Sequence, residues 1–430
     1  MPRDGSGVYT KPYPSVVSGT TIESLVYNGQ VDDVAQDLNT PRPISAGGTG
    51  ASSAAGAAAN LGVVTGKAVM TYTDAEKTQA RSNIYAAPLD ALAYNGMQVN
   101  GSMEVSQERG TAAISTNAYI LDGWRVEKSG TSAISAAQSI ASPFSPLGFG
   151  ASVGISVTTA QVSLGGTDYC ILVHPIEGYR ISRLALGGAY AQSFTVSFWT
   201  AHTKTGTYSV AVRNGNNTRS CAATYTQNVS NTPEYKTVTF PGDATGAWTI
   251  DNTVGLTLVF AIANGYPAAP ATGTWYGANY FAASGQVNGL DSTSNSFRLT
   301  GVVVLPGTQA PSATQSPLIM RPYDQELLTC QRYFKKFGTG MGGTWISSSV
   351  AQFGLVLEHE MRALATGALT TASPAVLDPA TAVRTGVGST IGFDYTQPRG
   401  IVFSVTGFSG ATQFRPAFLT DDYVKLDARL

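Results

Sequence analysis

The sequence predicts a mainly β fold: a jelly-roll β-sandwich and a smaller C-terminal β-domain, with short N-terminal helices and one connecting helix. Three observations predict it. From Ser193 to Phe240 the chain alternates with a period of two: Phe194, Val196 and Phe198 against Thr195, Ser197 and Trp199, then Tyr208, Val210 and Val212 against Ser209, Ala211 and Arg213. Successive strand side chains point to opposite faces, so this pattern marks half-buried antiparallel strands. Similar short runs recur between Gly, Asn and Pro turns over residues 94–310, among them Tyr169–Cys170–Ile171–Leu172–Val173–His174 and Gly255–Leu256–Thr257–Leu258–Val259–Phe260. Roughly eight to ten such strands suit a jelly-roll sandwich. Finally, charged residues make up 12% of the chain, about half the usual ~25%. Gly, Ser, Thr and Ala fill the gap, which suits a turn-rich chain with a neutral, hydroxyl-rich surface.

Composition also excludes some function classes. A hydrophobic content of 43% over 430 residues supplies ample core. The formal net charge of -1 offers no electrostatic basis for binding nucleic acid or an anionic membrane. Cys170, Cys221 and Cys330 are odd in number and far apart, so they read as small buried residues, with no disulfide framework or zinc motif. No run of 18 apolar residues is present, so membrane insertion is not expected. The opening Met1–Pro2–Arg3–Asp4–Gly5 lacks a basic-then-apolar signal pattern, which implies a protein made and folded in a cytoplasm.

In chain order, residues 1–20 read as an extended arm. Thr20 and Glu23 have capping-box spacing. Ile22, Leu25, Val26, Val31, Val34 and Leu38 then form a narrow apolar seam, interrupted at Asn28–Gly29. The seam suits either contact with a partner chain or an ordinary surface helix. Pro41 and Pro43 stop that helix. Residues 47–93 read as a Gly/Ala-rich linker: a glycine turn, a short Ala-rich helix ending near Gly62, and a helix from Thr73–x–x–Glu76 to about Ile84. The sandwich follows over 94–310. Pro311 and Pro317 open a connector over 311–340, in which Tyr323, Leu327, Cys330, Phe334 and Phe337 recur at spacings of four, three, four and three. That predicts a one-sided helix of about four turns, with Asp324 and Glu326 near its start and Lys335 and Lys336 near its end complementing the macrodipole. Residues 341–430 return to strands, at 352–361, 400–405 and 423–427.

Several of these motifs resemble a known family. Pro43–Ile44–Ser45–Ala46–Gly47–Gly48–Thr49–Gly50–Ala51, followed by Asn60–Leu61–Gly62, resembles the linker repeat of bacteriophage tail fibres. Glu76 to Ile84 resembles the short helical segment that often follows it. The opening nonapeptide, with Val17–Ser18–Gly19–Thr20–Thr21–Ile22, is similar to the N-terminal end of phage tail proteins that attach to the virion. Arg321–Pro322–Tyr323–Asp324–Gln325–Glu326–Leu327 with Cys330–Gln331–Arg332–Tyr333 resembles a helix that follows the β-domain in phage fibre-like proteins, and Met361–Arg362 and Leu426–Asp427–Ala428–Arg429–Leu430 resemble that family's C-terminal module. The strand order, with Ser197–Phe198–Trp199 and Gly246–Ala247–Trp248, resembles the jelly rolls of carbohydrate-binding modules. The resemblance implies a receptor-binding fibre protein of the virion, homotrimeric, joined to other virion proteins through residues 1–46 and adhering to a host surface polysaccharide.

Catalytic signatures are scarce. His174, His202 and His359 lack motif partners and read as structural or surface residues; His359 falls between Glu358 and Glu360 in a strand pattern, facing away from both. Gly150–Ala151–Ser152–Val153–Gly154 has Gly-x-Ser-x-Gly spacing without a strand-to-helix context. No cofactor motif is present. A polysaccharide depolymerase would need two carboxylates about 5–9.5 Å apart. Asp168, Glu177, Asp243, Asp251 and Asp291 are candidates, with turn residues as the ordinary alternative. Asp243 and Asp251 would also be the starting points for a Ca²⁺ site, but no ligand loop accompanies them. Binding is better supported. Sugar C–H faces stack on aromatic rings, and Trp199, Trp275 and Tyr276 are the candidate glycan-binding rings, with core or subunit packing as the alternative; Trp248 reads as core. The expectation is non-catalytic adhesion; a structural connector and a depolymerase are the alternatives.

Overall fold

The computed structural model describes residues 19, 21, 23–39, 51, 53–60 and 96–430, apart from 141–142, 339, 372, 379–381, 398 and 421–423. The chain divides into two compact units, Met1–Pro88 and Leu89–Leu430.

In the first unit, α1 (Ser24–Asn39) runs straight through Asn28–Gly29, where the apolar pattern is interrupted. One Gly costs a helix only about 1 kcal/mol relative to Ala, too little to break four turns. Leu25, Tyr27, Val31 and Val34 are exposed on it, and Val26 is half-buried. The short Ala helix is present as α2 (Ala54–Asn60), its Gly56 N–H donating to Ser53 Oγ at 3.1 Å. Ile22, the side chain of Leu38 and the helix expected over 73–84 lie outside the described residues.

The second unit is mainly β, and its larger part is the expected jelly-roll sandwich. One sheet has seven strands: β1 (Ala118–Leu121), β2 (Trp124–Ser129), β5 (Tyr169–Glu177), β10 (Val254–Asn264), β7 (Gly206–Asn214), β8 (Ser220–Gln227) and β11 (Trp275–Tyr276), in that spatial order. The other has five: β3 (Ala133–Ser139), β4 (Ser152–Thr159), β12 (Ser296–Pro306), β6 (Phe194–Thr200) and β9 (Glu234–Phe240). All pairings are antiparallel. The chain crosses between the sheets repeatedly, as a jelly roll requires. A one-turn helix, α3 (Gly178–Ile181), follows β5. Phe194, Val196 and Phe198 meet Tyr208, Val210, Val212, Leu258 and Phe260 in the core between the sheets.

The outer faces are covered as well, so β6 is buried along its whole length rather than half-buried. Residues 307–320 lie over the five-stranded sheet: Thr195 Oγ1 donates to Gly307 O at 2.9 Å, and Ile319 packs on Val303 and Leu305. The excursion from β10 to β12 covers the seven-stranded sheet. There Ala269, Phe281, Ala282 and Ala283 pack on Ile171, Val173, Ala211, Ala222, Val259 and Ala261. Small side chains on the sheet let this second layer approach closely.

The connector departs from its four-turn pattern. Helix α4 (Tyr323–Gln331) ends after nine residues, and Phe334–Phe337 is strand β13. Tyr323 is exposed, Leu327 half-buried and Cys330 fully buried, whereas Phe334 and Phe337 pair with Asp427 and Val424 of β22 (Val424–Asp427). Lys335 and Lys336 therefore sit in a sheet and complement no helix dipole. Tertiary pairing overrides the local 3.6 period. Arg332 forms an ion pair with Glu177 (Nη2–Oε1 2.6 Å), and the Tyr333 hydroxyl donates to the same carboxylate at 2.6 Å. These bonds turn the chain away from the helix axis.

The C-terminal part carries a three-stranded sheet, β13–β22–β16 (Thr366–Leu369), and a seven-stranded sheet. The latter runs β18 (Ala382–Thr385), β17 (Ala375–Asp378), β21 (Pro416–Leu419), β14 (Met341–Trp345), β15 (Ala351–Val356), β20 (Gly400–Val405), β19 (Ile391–Gln397). Trp345, Phe353, Val376, Phe403 and Leu419 form its core. β15 ends at Val356, so His359 lies in a bend beyond the strand, not between two strand carboxylates.

Candidate functional site

The three rings singled out in the sequence have different fates. Trp199 is 7% exposed. It packs with Phe144, Phe149, Leu147 and Met320, and its Nε1–H donates to Ser316 Oγ at 2.9 Å. The segment 307–320 covers it, and no ring face is left for a ligand. Its position out of phase with Phe194, Val196 and Phe198 reflects burial in a second layer.

Trp275 and Tyr276 form β11, the edge strand of the seven-stranded sandwich sheet. Neighbours on a strand face opposite ways. Trp275 pairs in register with Cys221, whose side chain is in the sandwich core, and Tyr276 with Ser220. Trp275 therefore turns to the open end of the core, where Trp248 meets it edge-to-face at 5.4 Å. Both indoles are half-buried. Trp275 Nε1–H donates to Pro241 O at 2.8 Å, and Trp248 Nε1–H is 3.3 Å from both Asp243 Oδ2 and Thr245 O. Asp243 is in turn held by Arg219 Nε at 2.9 Å. Burial pulls its carboxyl upward, but the Arg219 guanidinium and the Thr245 bonds outweigh this and leave it below its ordinary value.

On the other face of β11, Tyr276 meets Tyr280 edge-to-face at 5.5 Å. Ser220 Oγ fixes the intervening turn, accepting from Tyr280 N at 3.0 Å and donating to Ala278 O at 2.6 Å. Deeper on this face, Phe281 is ringed by Tyr169 (5.1 Å), Tyr266 (5.2 Å) and the guanidinium of Arg213 (5.0 Å). Arg213 bonds Asn279 Oδ1 at 2.9 Å, while its buried Nε has no partner. Four partly exposed aromatic rings thus surround one sheet edge, each locked by packing or a hydrogen bond. Sequence reasoning missed Trp248 and Tyr280 as members. Trp248 lies far from β11 in the chain, and no local spacing links the two.

The candidate acids are each committed to structural bonds. Asp168 Oδ2 accepts from Gly165 N at 2.7 Å. Glu177 is held by Arg332 and Tyr333. Asp251 Oδ1 caps a turn through Thr253 N at 2.8 Å, and Asp291 pairs with Lys204 and Asn295. Among the described residues no three His, Cys, Asp or Glu side chains are grouped to hold a metal. His174 and His202 are core residues. All three cysteines are buried, and burial pushes the Cys170 and Cys221 thiols up to about 12.

No protein-family model matches this sequence, and no curated protein matches it. Among solved structures the chain is similar to the enzymatically active domain of bacteriophage CBA120 tailspike protein 4, with 12% identity over 50% of this chain and 22% of that one, TM-score 0.26. It is also similar to the arabinose-bound MgGH51 α-L-arabinofuranosidase, with 12% identity over 50% of this chain and 27% of that one, TM-score 0.27. It thus spans about a quarter of the length of either. A third similar structure is the family 11 carbohydrate-binding module of the cellulosomal cellulase Lic26A-Cel5E of Clostridium thermocellum, with 12% identity over 47% of this chain and 98% of that module, TM-score 0.23.

Proposed function

We propose that this chain is a receptor-binding fibre protein of a bacteriophage, which adheres to a host surface glycan without chemistry. The observation that carries glycan binding is the aromatic rim around β11: Trp248 with Trp275 on one face, Tyr276 with Tyr280 on the other. Sugar rings present apolar C–H faces to such rings, and fixed polar groups beside them (Arg219, Asn279) orient hydroxyls. Rings locked before binding lose little rotamer entropy on contact. The structural duties of Asp168, Glu177, Asp243, Asp251 and Asp291 support adhesion over hydrolysis. On this reading residues 1–46 attach to other virion proteins, and copies of the chain assemble as a homotrimer. The exposed Leu25, Tyr27, Val31 and Val34 of α1 suit such contacts. Several weak sites on one particle raise avidity through effective concentration.

Trp275→Ala and Tyr276→Ala each lower binding to host cells about tenfold, a loss of ~1.4 kcal/mol, with the circular-dichroism spectrum unchanged. Unaltered binding in both removes the rim from the reading. Incubation with host polysaccharide releases no new reducing ends; measurable release assigns the chain to depolymerases instead.

A further inference from the structure

The outer face of the C-terminal seven-stranded sheet carries an unexplained arrangement. Its register places Phe418, Gly342, Gly354, Val402 and Tyr395 in one line across β21, β14, β15, β20 and β19: Gly342 opposes Phe418, Gly354 opposes Val402, and Val402 opposes Tyr395. Gly343 opposite Phe353 sets Gly342 beside Gly354. The core side chains Phe353, Phe403 and Leu419 lie on the other face. Along this line Tyr395 is 57% and Phe418 39% exposed.

Gly354 leaves a bare patch of backbone between Val402 and the Phe418 ring, whose edge comes within 3.8 Å of where a Cβ on Gly342 would sit. At ~4.8 Å per strand, the backbones of Gly342 and Val402 stand about 10 Å apart across it. Neither glycine has positive φ, and a Cβ at Gly354 would meet nothing within 4 Å. Backbone conformation therefore does not require Gly354, and the space above it is open. The next row supplies fixed polar groups: Gln352 Nε2–H donates to Asp394 Oδ2 at 2.9 Å, and Ser404 Oγ–H donates to the same oxygen. Asp394 Oδ1 remains to accept from a ligand hydroxyl.

We propose that this face is a second carbohydrate site, in which a pyranose lies over Gly354 between Val402 and the exposed Phe418 ring, with hydroxyls bonded to Asp394 and Gln352. A bare patch wide enough for one ring, an exposed aromatic wall and a pre-set acid–amide–hydroxyl row together fit a sugar. A second copy of this chain would instead want a continuous apolar face, and the glycines and the polar row interrupt it. The proposal rests on the adhesion reading only for its ligand class, since the site shares no residue with the β11 rim.

The test uses the full chain with saturation-transfer NMR against the methyl glycosides of glucose, galactose and N-acetylglucosamine. In a Tyr276→Ala background, which removes the rim's contribution, Gly354→Val, which places a β-branched residue on a strand with open space above it, and Phe418→Ala each reduce the signal of at least one glycoside about tenfold, while Tyr190→Ala, at an exposed ring outside both sites, leaves that signal intact. A wild-type protein that saturates none of the three, or a folded Gly354→Val protein with undiminished signal, overturns the proposal. So does a change in sedimentation mass in either C-terminal variant without loss of sugar signal, which makes the face a contact between copies. Loss of cell binding in the β11 variants alone leaves the adhesion reading standing without this second site.

Discussion

His174 and His202 show how single residues can be buried at a cost and retained for shape. His174 Nε2 accepts from Val99 N at 3.1 Å, and Nδ1–H donates to Gly123 O at 2.6 Å. Its ring stacks on Trp124 at 4.3 Å. His202 Nδ1 accepts from Arg298 N at 3.2 Å, its Nε2 lies 3.0 Å from the Tyr225 hydroxyl, and its ring stacks on Phe297 at 4.1 Å. A proton on the accepting nitrogen would confront an N–H donor. Burial accordingly lowers His174 to about 4 and His202 to about 3. Asp122 runs the other way: burial raises it to about 7, against the opposing bond from Gln107. A lowered histidine stabilises the fold above its unfolded pKa and loses that stability as pH falls. A raised carboxyl stabilises the fold at low pH and loses that stability as pH rises through 7. Between pH 6.5 and 4, acidification therefore weakens the fold through the two histidines and strengthens it through Asp122. In urea unfolding followed against pH, Asp122→Asn makes the loss of stability on acidification steeper; an unchanged slope contradicts the assignment. The sequence marked both histidines as partnerless and structural. Their tautomers depend on Val99, Gly123 and Arg298, which only the fold brings near.

At the scale of elements, the connector decides how the sandwich holds the C-terminal sheets. α4 is short because Arg332 and Tyr333 are claimed by Glu177, and the chain then adds β13 to β22. Arg362 strengthens the joint, donating to Ala428 O at 2.6 Å and to Asn252 O at 2.8 Å. Arg429 lies over the rings of Tyr119 (4.4 Å) and Phe334 (4.5 Å). Glu177→Ala leaves Arg332 and the Tyr333 hydroxyl without their acceptor and destabilises the second unit by about 3 kcal/mol, read as a lower urea midpoint. A loss below about 0.5 kcal/mol, typical of an exposed pair, contradicts this joint. The start of the helix was legible in its acids and apolar spacing. Its end was not, because the residues that stop it follow an i, i+3, i+4 pattern and are overruled by partners over 80 residues away in sequence.

At the scale of the whole molecule, the sandwich and the C-terminal sheets belong to one compact unit and the first 88 residues to another. A chain lacking residues 1–40 keeps the strand signal and unfolding midpoint of the full protein, and on the fibre reading it no longer joins particles. Normal incorporation refutes the proposed attachment segment. What the sequence by itself determined is the β class, the alternating strands of the sandwich, the Ala helix and the burial of all three cysteines, because these follow from local periodicity and composition. What only the tertiary structure decided is which rings meet solvent. Trp199 and Trp275 are both out of reach of a local rule: one is roofed by residues 307–320, the other stands at a sheet edge beside Trp248. The bare patch at Gly354 between Val402 and the Phe418 ring likewise exists only once the strands are in register. Exposure and cross-strand alignment are properties of long-range packing, and no window of neighbouring residues contains them.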